Sequence, residues 1–268
     1  MNPFELIAGD GPIILAQPHG GIYMPSEIME KLNATGQALA DTDWHITKLY
    51  DGLCENATII RANFHRYVID ANRGPADISL YPGQNSTSLC PITDFDGSPI
   101  YISGTEPNAY EILRRKQTWH DPYHYALQNE IERVKSHHGI AIVYDCHSIR
   151  SRIPYLFEGT LPDLNIGTDE GRTCSPDLQT LIHKFAASSS YSTVLNGRFR
   201  GGWTTRHYGQ PQNGVHAIQM EIAQRAYLED EHAPWNYSAK KSALLRPLLK
   251  RILGALADHA STMKKEAK

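Results

Sequence analysis

Cysteine is scarce in this chain: four residues, at 54, 90, 146 and 174, with no CxxC pair among them. That spacing excludes a disulfide framework and a thiolate zinc site, and it fits a reducing compartment. An excess of one charge is also lacking. Twenty-six Lys and Arg stand against 29 Asp and Glu, a net charge of −3, so neither nucleic acid nor an acidic membrane is an expected partner. The basic runs "LRRK" (113–116) and "MKKEAK" (263–268) are too short to make a binding stripe. No apolar run approaches the ~18 residues of a membrane span, and "MNPFELIAGD" has neither the basic nor the apolar region of a signal peptide. There is no internal repeat, low-complexity segment or clear linker. The expectation is a cytoplasmic protein with one domain over 1–268, and 41% hydrophobic residues suffice for a sizeable core.

What is present is an alternation of strands and helices. "GPIILAQPHGG" reads as a buried strand (13–16) running into a Gly/Pro loop that carries His19. In "DTDWHITKLYDGLCEN" the apolar residues fall at helical spacing, with Asp41, Thr42 or Asp43 as N-cap. "ATIIRA" (57–62) and "RYVIDANR" (66–73) are β-rich, and a loop rich in turn residues (78–101) is a lid candidate. Asp121-Pro122 opens a helix that runs to Gly139 and feeds the strand "GIAIVYD". Polar, Gly-rich ground (157–176) precedes a helix near 177–189 and a strand at 191–196, with another long loop at 197–214. "VHAIQMEI" (215–222) alternates, and leucines from 244 to 256 mark a packing helix whose first turn Pro247 disturbs. Such alternation predicts an α/β fold, in which ligands bind beyond the carboxyl ends of the strands.

His19 and His147 are both expected just past such ends. Two histidines and a carboxylate form a common catalytic zinc set with one position left for water, and Asp41 or Asp43 can supply the carboxylate. Glu221, on the polar face of its strand, can serve as proton acceptor for the water or simply as a salt-bridged glutamate. Cys146 adjoins His147, but successive strand residues point to opposite faces, which leaves that imidazole poorly placed to activate the thiol. Asn72 and Arg73 can grip a carboxylate, since an arginine offers a bidentate fork, or the arginine can simply pair with Asp70 or Asp77. Arg198, Arg200 and Arg206 crowd one Gly-rich loop, which suits a small acidic ligand.

Seven motifs, in this order, resemble the N-formylglutamate amidohydrolase (N-formylglutamate deformylase) family, which is related to the zinc carboxypeptidases and aspartoacylases. They are "PHGGIYMP" (18–25), "DTDWHITKLY" (41–50), "RYVIDANR" (66–73), "YDCHSI" (144–149), "LPDLNIGT" (161–168), "NGRFRGGWTTRHYG" (196–209) and "GVHAIQMEI" (214–222). The resemblance implies a phosphorylase/hydrolase-like, three-layer fold around a mixed sheet, zinc-carboxypeptidase-like, with one catalytic Zn2+. It also implies a small acidic N-acyl amino acid as substrate, N-formyl-L-glutamate first, within histidine degradation. By the same resemblance His19 and His147 are metal ligands, Glu221 is the catalytic glutamate, Arg66 polarises the scissile carbonyl, and Asn72-Arg73 binds the substrate carboxylate. The carboxypeptidase relatives carry a ligand glutamate three residues after the first histidine; Ile22 stands there, so the ligand moves to Asp43, with Asp41 as rival. Arg206 is expected at the second carboxylate. Two other readings remain at this point: a related zinc amidohydrolase acting on another N-acyl amino acid, and a non-catalytic protein that binds an acidic ligand.

Overall fold

The computed structural model describes residues 1–80 and 83–266. Seven strands form one sheet: β1 (Phe4–Ile7), β2 (Ile13–Gln17), β3 (Thr58–Ala62), β4 (Ala141–Ile149), β5 (Leu164–Gly167), β6 (Thr193–Leu195) and β7 (Val215–Ala223). Their order is β1-β3-β2-β4-β7-β5-β6. The inner pairs β3-β2, β2-β4 and β4-β7 are parallel, whereas β1 on β3 and β5 on β7 are antiparallel, so the sheet is mixed. The helices are α1 (Ser26–Met29), α2 (Ala34–Gln37), α3 (Ile46–Tyr50), α4 (Ala109–Arg115), α5 (Asp121–His138), α6 (Pro176–Ala187), α7 (Trp203–Tyr208) and α8 (Ala239–Glu266). None of the described helices is long and apolar enough to cross a membrane.

Strands buried on both faces divide their side chains by alternation. Ile13, Leu15, Ile142, Tyr144, Ile218 and Met220 face a core closed by α3, α6 and the leucines of α8. Ile14, Ala16, Val143 and Ala217 face a second core closed by Tyr123, Leu127, Ile131 and Val134 of α5. Helices therefore cover both sides, as the expected three-layer α/β fold requires.

Several local expectations change. "RYVIDANR" forms buried turns and no strand; Tyr67, Val68, Ile69 and Ala71 are all inaccessible to solvent. With no sheet neighbour, its backbone groups are met from elsewhere, as buried peptides require. Arg115 donates to the Val68 carbonyl, and Asp70 N–H to Leu89 O. No Asp or Thr caps α3: the N-cap is His45, at φ 59, without a side-chain bond. Asp121 is the first residue of α5 and not its N-cap, and α4, a π-helical turn at Lys116–His120 and α5 run on continuously from the Asn108 cap. Strand β4 does not stop at Asp145 but continues to Ile149, which places His147 within it. The stretches 157–176 and 197–214 hold β5 and α7, which short length and polar surroundings hide. Helix α8 begins at Ala239 and passes through Pro247. A proline inside a helix costs about 3 kcal/mol, and the buried Leu245, Leu248, Leu249, Ile252, Leu253 and Leu256 offset it.

The 78–101 loop, of which residues 81–82 lie outside the described set, is tied down at Leu89 by Asp77 and at Phe95 by Asp41. The loop after β2 has a tighter constraint. A Cβ on Gly21 would lie 2.4 Å from the Ala62 carbonyl oxygen, whereas one on Gly20 would meet side-chain methyls of Ile46 and Thr47 at 2.9 and 3.2 Å. Backbone cannot yield as a methyl can. Gly21→Ala is expected to destabilise the fold by about 1–3 kcal/mol, the usual range for overpacking, and by more than Gly20→Ala; urea titration of the two variants checks the order.

Candidate active site and metal centre

Parallel register between β4 and β7 builds the site. Asp145 pairs with Gln219 and His147 with Glu221, so four polar side chains share the face that, one turn of the pleat earlier, carries Val143 and Ala217. One face of two strands thus changes from core to active site along its length. His19 lies two residues beyond β2, the other neighbour of β4. Asp43 precedes α3, and its N–H donates to the His19 carbonyl.

Three side chains converge. His19 Nδ1 and His147 Nδ1 are 3.2 Å apart, and Asp43 Oδ2 lies 3.4 Å from the second and 4.0 Å from the first. All three residues are buried, and one ligand atom from each falls within 4.8 Å of the others. The far side of each group is also held. His19 Nε2 donates to Asp70 Oδ1 at 2.7 Å, which leaves its Nδ1 lone pair bare toward the cluster. Asp43 Oδ1 accepts from Arg66 Nη2 at 3.0 Å, and its Oδ2 from Ser148 N–H at 3.0 Å. His147 has a partner for each tautomer at Nε2: Asn72 Nδ2 at 3.0 Å and Asp145 Oδ1 at 3.0 Å. That Asp145 oxygen is wholly buried and has His147 Nε2 as its one near donor among the described residues.

This donor set fits a divalent cation. Two imidazole nitrogens and a carboxylate oxygen suit zinc, and a cation at Nδ1 of His147 would leave its proton on Nε2, 3.0 Å from the Asp145 oxygen. Asp41 is elsewhere: its Oδ2 accepts from Tyr67 Oη and from Phe95 N–H, both at 2.8 Å. Of the two rivals, Asp43 alone reaches the cluster.

Electrostatics follow from burial. Burial pushes His147 toward neutrality, but the carboxylates of Asp145, Asp43 and Glu221 outweigh it and hold its pKa well above the ordinary value. Burial acts oppositely on Glu221 and lifts its carboxyl to about 8, against the pull of His147. Gln219 Nε2 donates to Glu221 Oε2 at 3.0 Å, and no such bond is recorded at Oε1 among the described residues.

A cleft opens over these groups, lined by His19, Arg66, Asn72, Arg73, His147 and Glu221 and walled by the 78–101 loop through Asn85, Thr87 and Phe95. The Arg66 guanidinium lies 4.9 Å from the Phe95 ring centre, a cation–π distance. Arg73 Nη2 donates to Thr87 Oγ1 at 3.2 Å. Asn72 is more committed than expected, since its Oδ1 accepts from Thr204 N–H at 2.9 Å while Nδ2 meets His147. Arg206 does not line the cleft: Nη1 is 3.2 Å from Asp169, and Nε donates to Gly201 O. The short helix α7 turns it aside, and Arg198 lines the cleft in its place, with Nε donating to Leu156 O at 3.1 Å. Sequence reasoning missed Asp70 and Gln219. The second was legible, two residues before Glu221 on the same face; the first depends on a turn that propensity does not reveal.

Comparison with known proteins agrees with this architecture. The N-formylglutamate deformylase of Pseudomonas aeruginosa is 43% identical over 250 residues, covering 92% of this chain and 93% of its own. That of Pseudomonas putida is 41% identical over 248 residues, covering 91% and 92%. Among solved structures, an N-formylglutamate amidohydrolase from Ralstonia eutropha JMP134 superposes with a TM-score of 0.77 at 23% identity, over 97% of this chain and 98% of the other. A gene product of Agrobacterium tumefaciens gives 0.73 at 18%, over 97% and 96%. Both structures support the fold. The N-formylglutamate amidohydrolase family itself matches residues 11–228, and the chain belongs to that family.

Proposed function

We propose that this protein hydrolyses N-formyl-L-glutamate to formate and L-glutamate with one divalent metal, zinc, held by His19, Asp43 and His147. The observation that carries the reading is the register that sets Glu221 beside His147, at the floor of a cleft edged by arginines. The names of the two Pseudomonas relatives support the substrate. A place in histidine degradation rests on the resemblance alone, and a cytoplasmic one on the few, unpaired cysteines.

When bound, the metal would polarise the formyl oxygen and lower the pKa of a water from ~15.7 to ~7. The chain's own residues do the rest. Glu221 Oε1 takes a proton as the water oxygen bonds to the formyl carbon. As the C–N bond breaks, Glu221 passes that proton to the leaving nitrogen. Arg66, fixed by Asp43 and Phe95, faces the negative charge that develops on the carbonyl oxygen. Arg73, with Asn72 beside it, takes one glutamate carboxylate. Arg198, which lines the cleft where Arg206 does not, takes the other.

Formate release from N-formyl-L-glutamate is expected to disappear on chelation and return with zinc; no release from zinc-loaded protein would send the activity to another N-acyl amino acid or leave only ligand binding. Glu221→Gln is expected to keep its metal and lose at least ~10²-fold in kcat, the usual scale of general acid–base catalysis, as read by stopped assays alongside metal analysis. Arg198→Ala is expected to raise KM by ~10-fold or more, the scale of a lost charge-assisted bond, while Arg206→Ala raises it far less. The opposite order in steady-state kinetics would return the second carboxylate to Arg206.

A further inference from the structure

The turn that carries Asn72 and Arg73 hangs on two histidines that the mechanism does not use. His120 and His124 are four residues apart on one helical run, hence on one face, and His120 closes the π-helical turn. Nε2 of His124 lies 2.8 Å from the Ala71 carbonyl oxygen, and Nε2 of His120 lies 2.9 Å from that of Arg73. A carbonyl only accepts, so both nitrogens carry their protons. The two bonds grip the peptide that joins Ala71 to Asn72 and the one that joins Arg73 to Gly74, on either side of the pair. Both imidazoles are buried, at 2% and 8% exposure.

The grip is itself braced. His124 Nδ1 lies 3.0 Å from Tyr208 Oη, which can donate to it. Trp203 stands edge-on to His124 at 4.8 Å, lies 5.8 Å from His120 and stacks on His207 at 4.3 Å. A Cβ on Gly74 would come within 2.7 Å of the Trp203 Nε1. Thr204, next to that tryptophan, donates its N–H to Asn72 Oδ1. Turns in which a π-helical segment interrupts an α-helix are frequent at functional sites.

We propose that His120 and His124 are positioning residues that clamp the 71–73 peptides and so aim Arg73 at the substrate carboxylate. The proposal rests on the reading of Arg73 given above. It separates from mere structural support because such a clamp governs ligand binding more than chemistry or metal retention. A misplacement of about 1 Å in a positioned group is known to cost up to ~10²-fold.

The test compares His120→Asn with His120→Gln, and His124→Asn with His124→Gln, in the full-length zinc-loaded protein. A glutamine amide reaches the place of Nε2, and an asparagine amide does not. The Asn variants are expected to raise KM for N-formyl-L-glutamate, and the calorimetric Kd for L-glutamate, by ~10-fold, with kcat within ~3-fold and bound zinc unchanged. The Gln variants are expected to recover most of that loss. Equal values for Asn and Gln, or kcat and zinc falling in step with KM, would overturn the clamp. If neither Asn variant folds, Tyr208→Phe decides, because it removes only the hydroxyl that holds His124; an unchanged KM overturns the proposal. Wild-type protein that neither turns over nor binds glutamate would instead refute the reading of Arg73, and the clamp with it.

Discussion

The pairing of β4 with β7 is the constraint from which the site follows. Because side chains alternate with a period of two, a slip of one residue would send His147 and Glu221 into the leucine-rich core and bring Met220 and Cys146 into the cleft. The apolar halves of both strands forbid that slip. Val143 and Ala217 are packed under α5, and Ile142, Tyr144 and Ile218 under α3, α6 and α8, so each face is specified independently. Catalytic geometry is thereby fixed by hydrophobic contacts that never touch a substrate.

The polar half of that face carries a dense set of buried ionisable groups. Asp43, Asp70, Asp145, Glu221, Arg66, His19 and His147 are each at most 6% exposed. Burial of one such charge alone costs several kcal/mol, and the arrangement answers with pairs: Asp70 on His19, Arg66 on Asp43, Gln219 on Glu221. What stays incomplete is informative. Two imidazole nitrogens and an Asp43 oxygen face one another, a pattern that a cation would complete.

Much of this was legible in the residues. The strands at 13–17, 58–62, 141–149 and 215–223 announce themselves by β-branched and alternating side chains, and α6 and α8 by helical periodicity. His19, His147 and Glu221 stood out because each interrupts an apolar pattern. Asp41 and Asp43 were not separable, being two residues apart in one polar run; only the path of the chain turns the first toward Tyr67 and the second toward the histidines. "RYVIDANR" misled because β-propensity is local, whereas its peptides are satisfied by Arg115, His120 and His124, more than forty residues away. That Arg198 and not Arg206 lines the cleft turned on a six-residue helix with no strong signal of its own.

The strand order has a bearing on how the protein comes to exist. Adjacent central strands are drawn from residues 13–17, 141–149 and 215–223, so the sheet's middle closes only when its last parallel strand arrives. Contacts so distant in sequence slow folding, because long loops must close before they are rewarded. A nascent chain holding His19, Asp43 and His147 still lacks the strand that carries Glu221. Partial products of synthesis therefore lack one wall of the cleft, which takes shape only when β7 is in place.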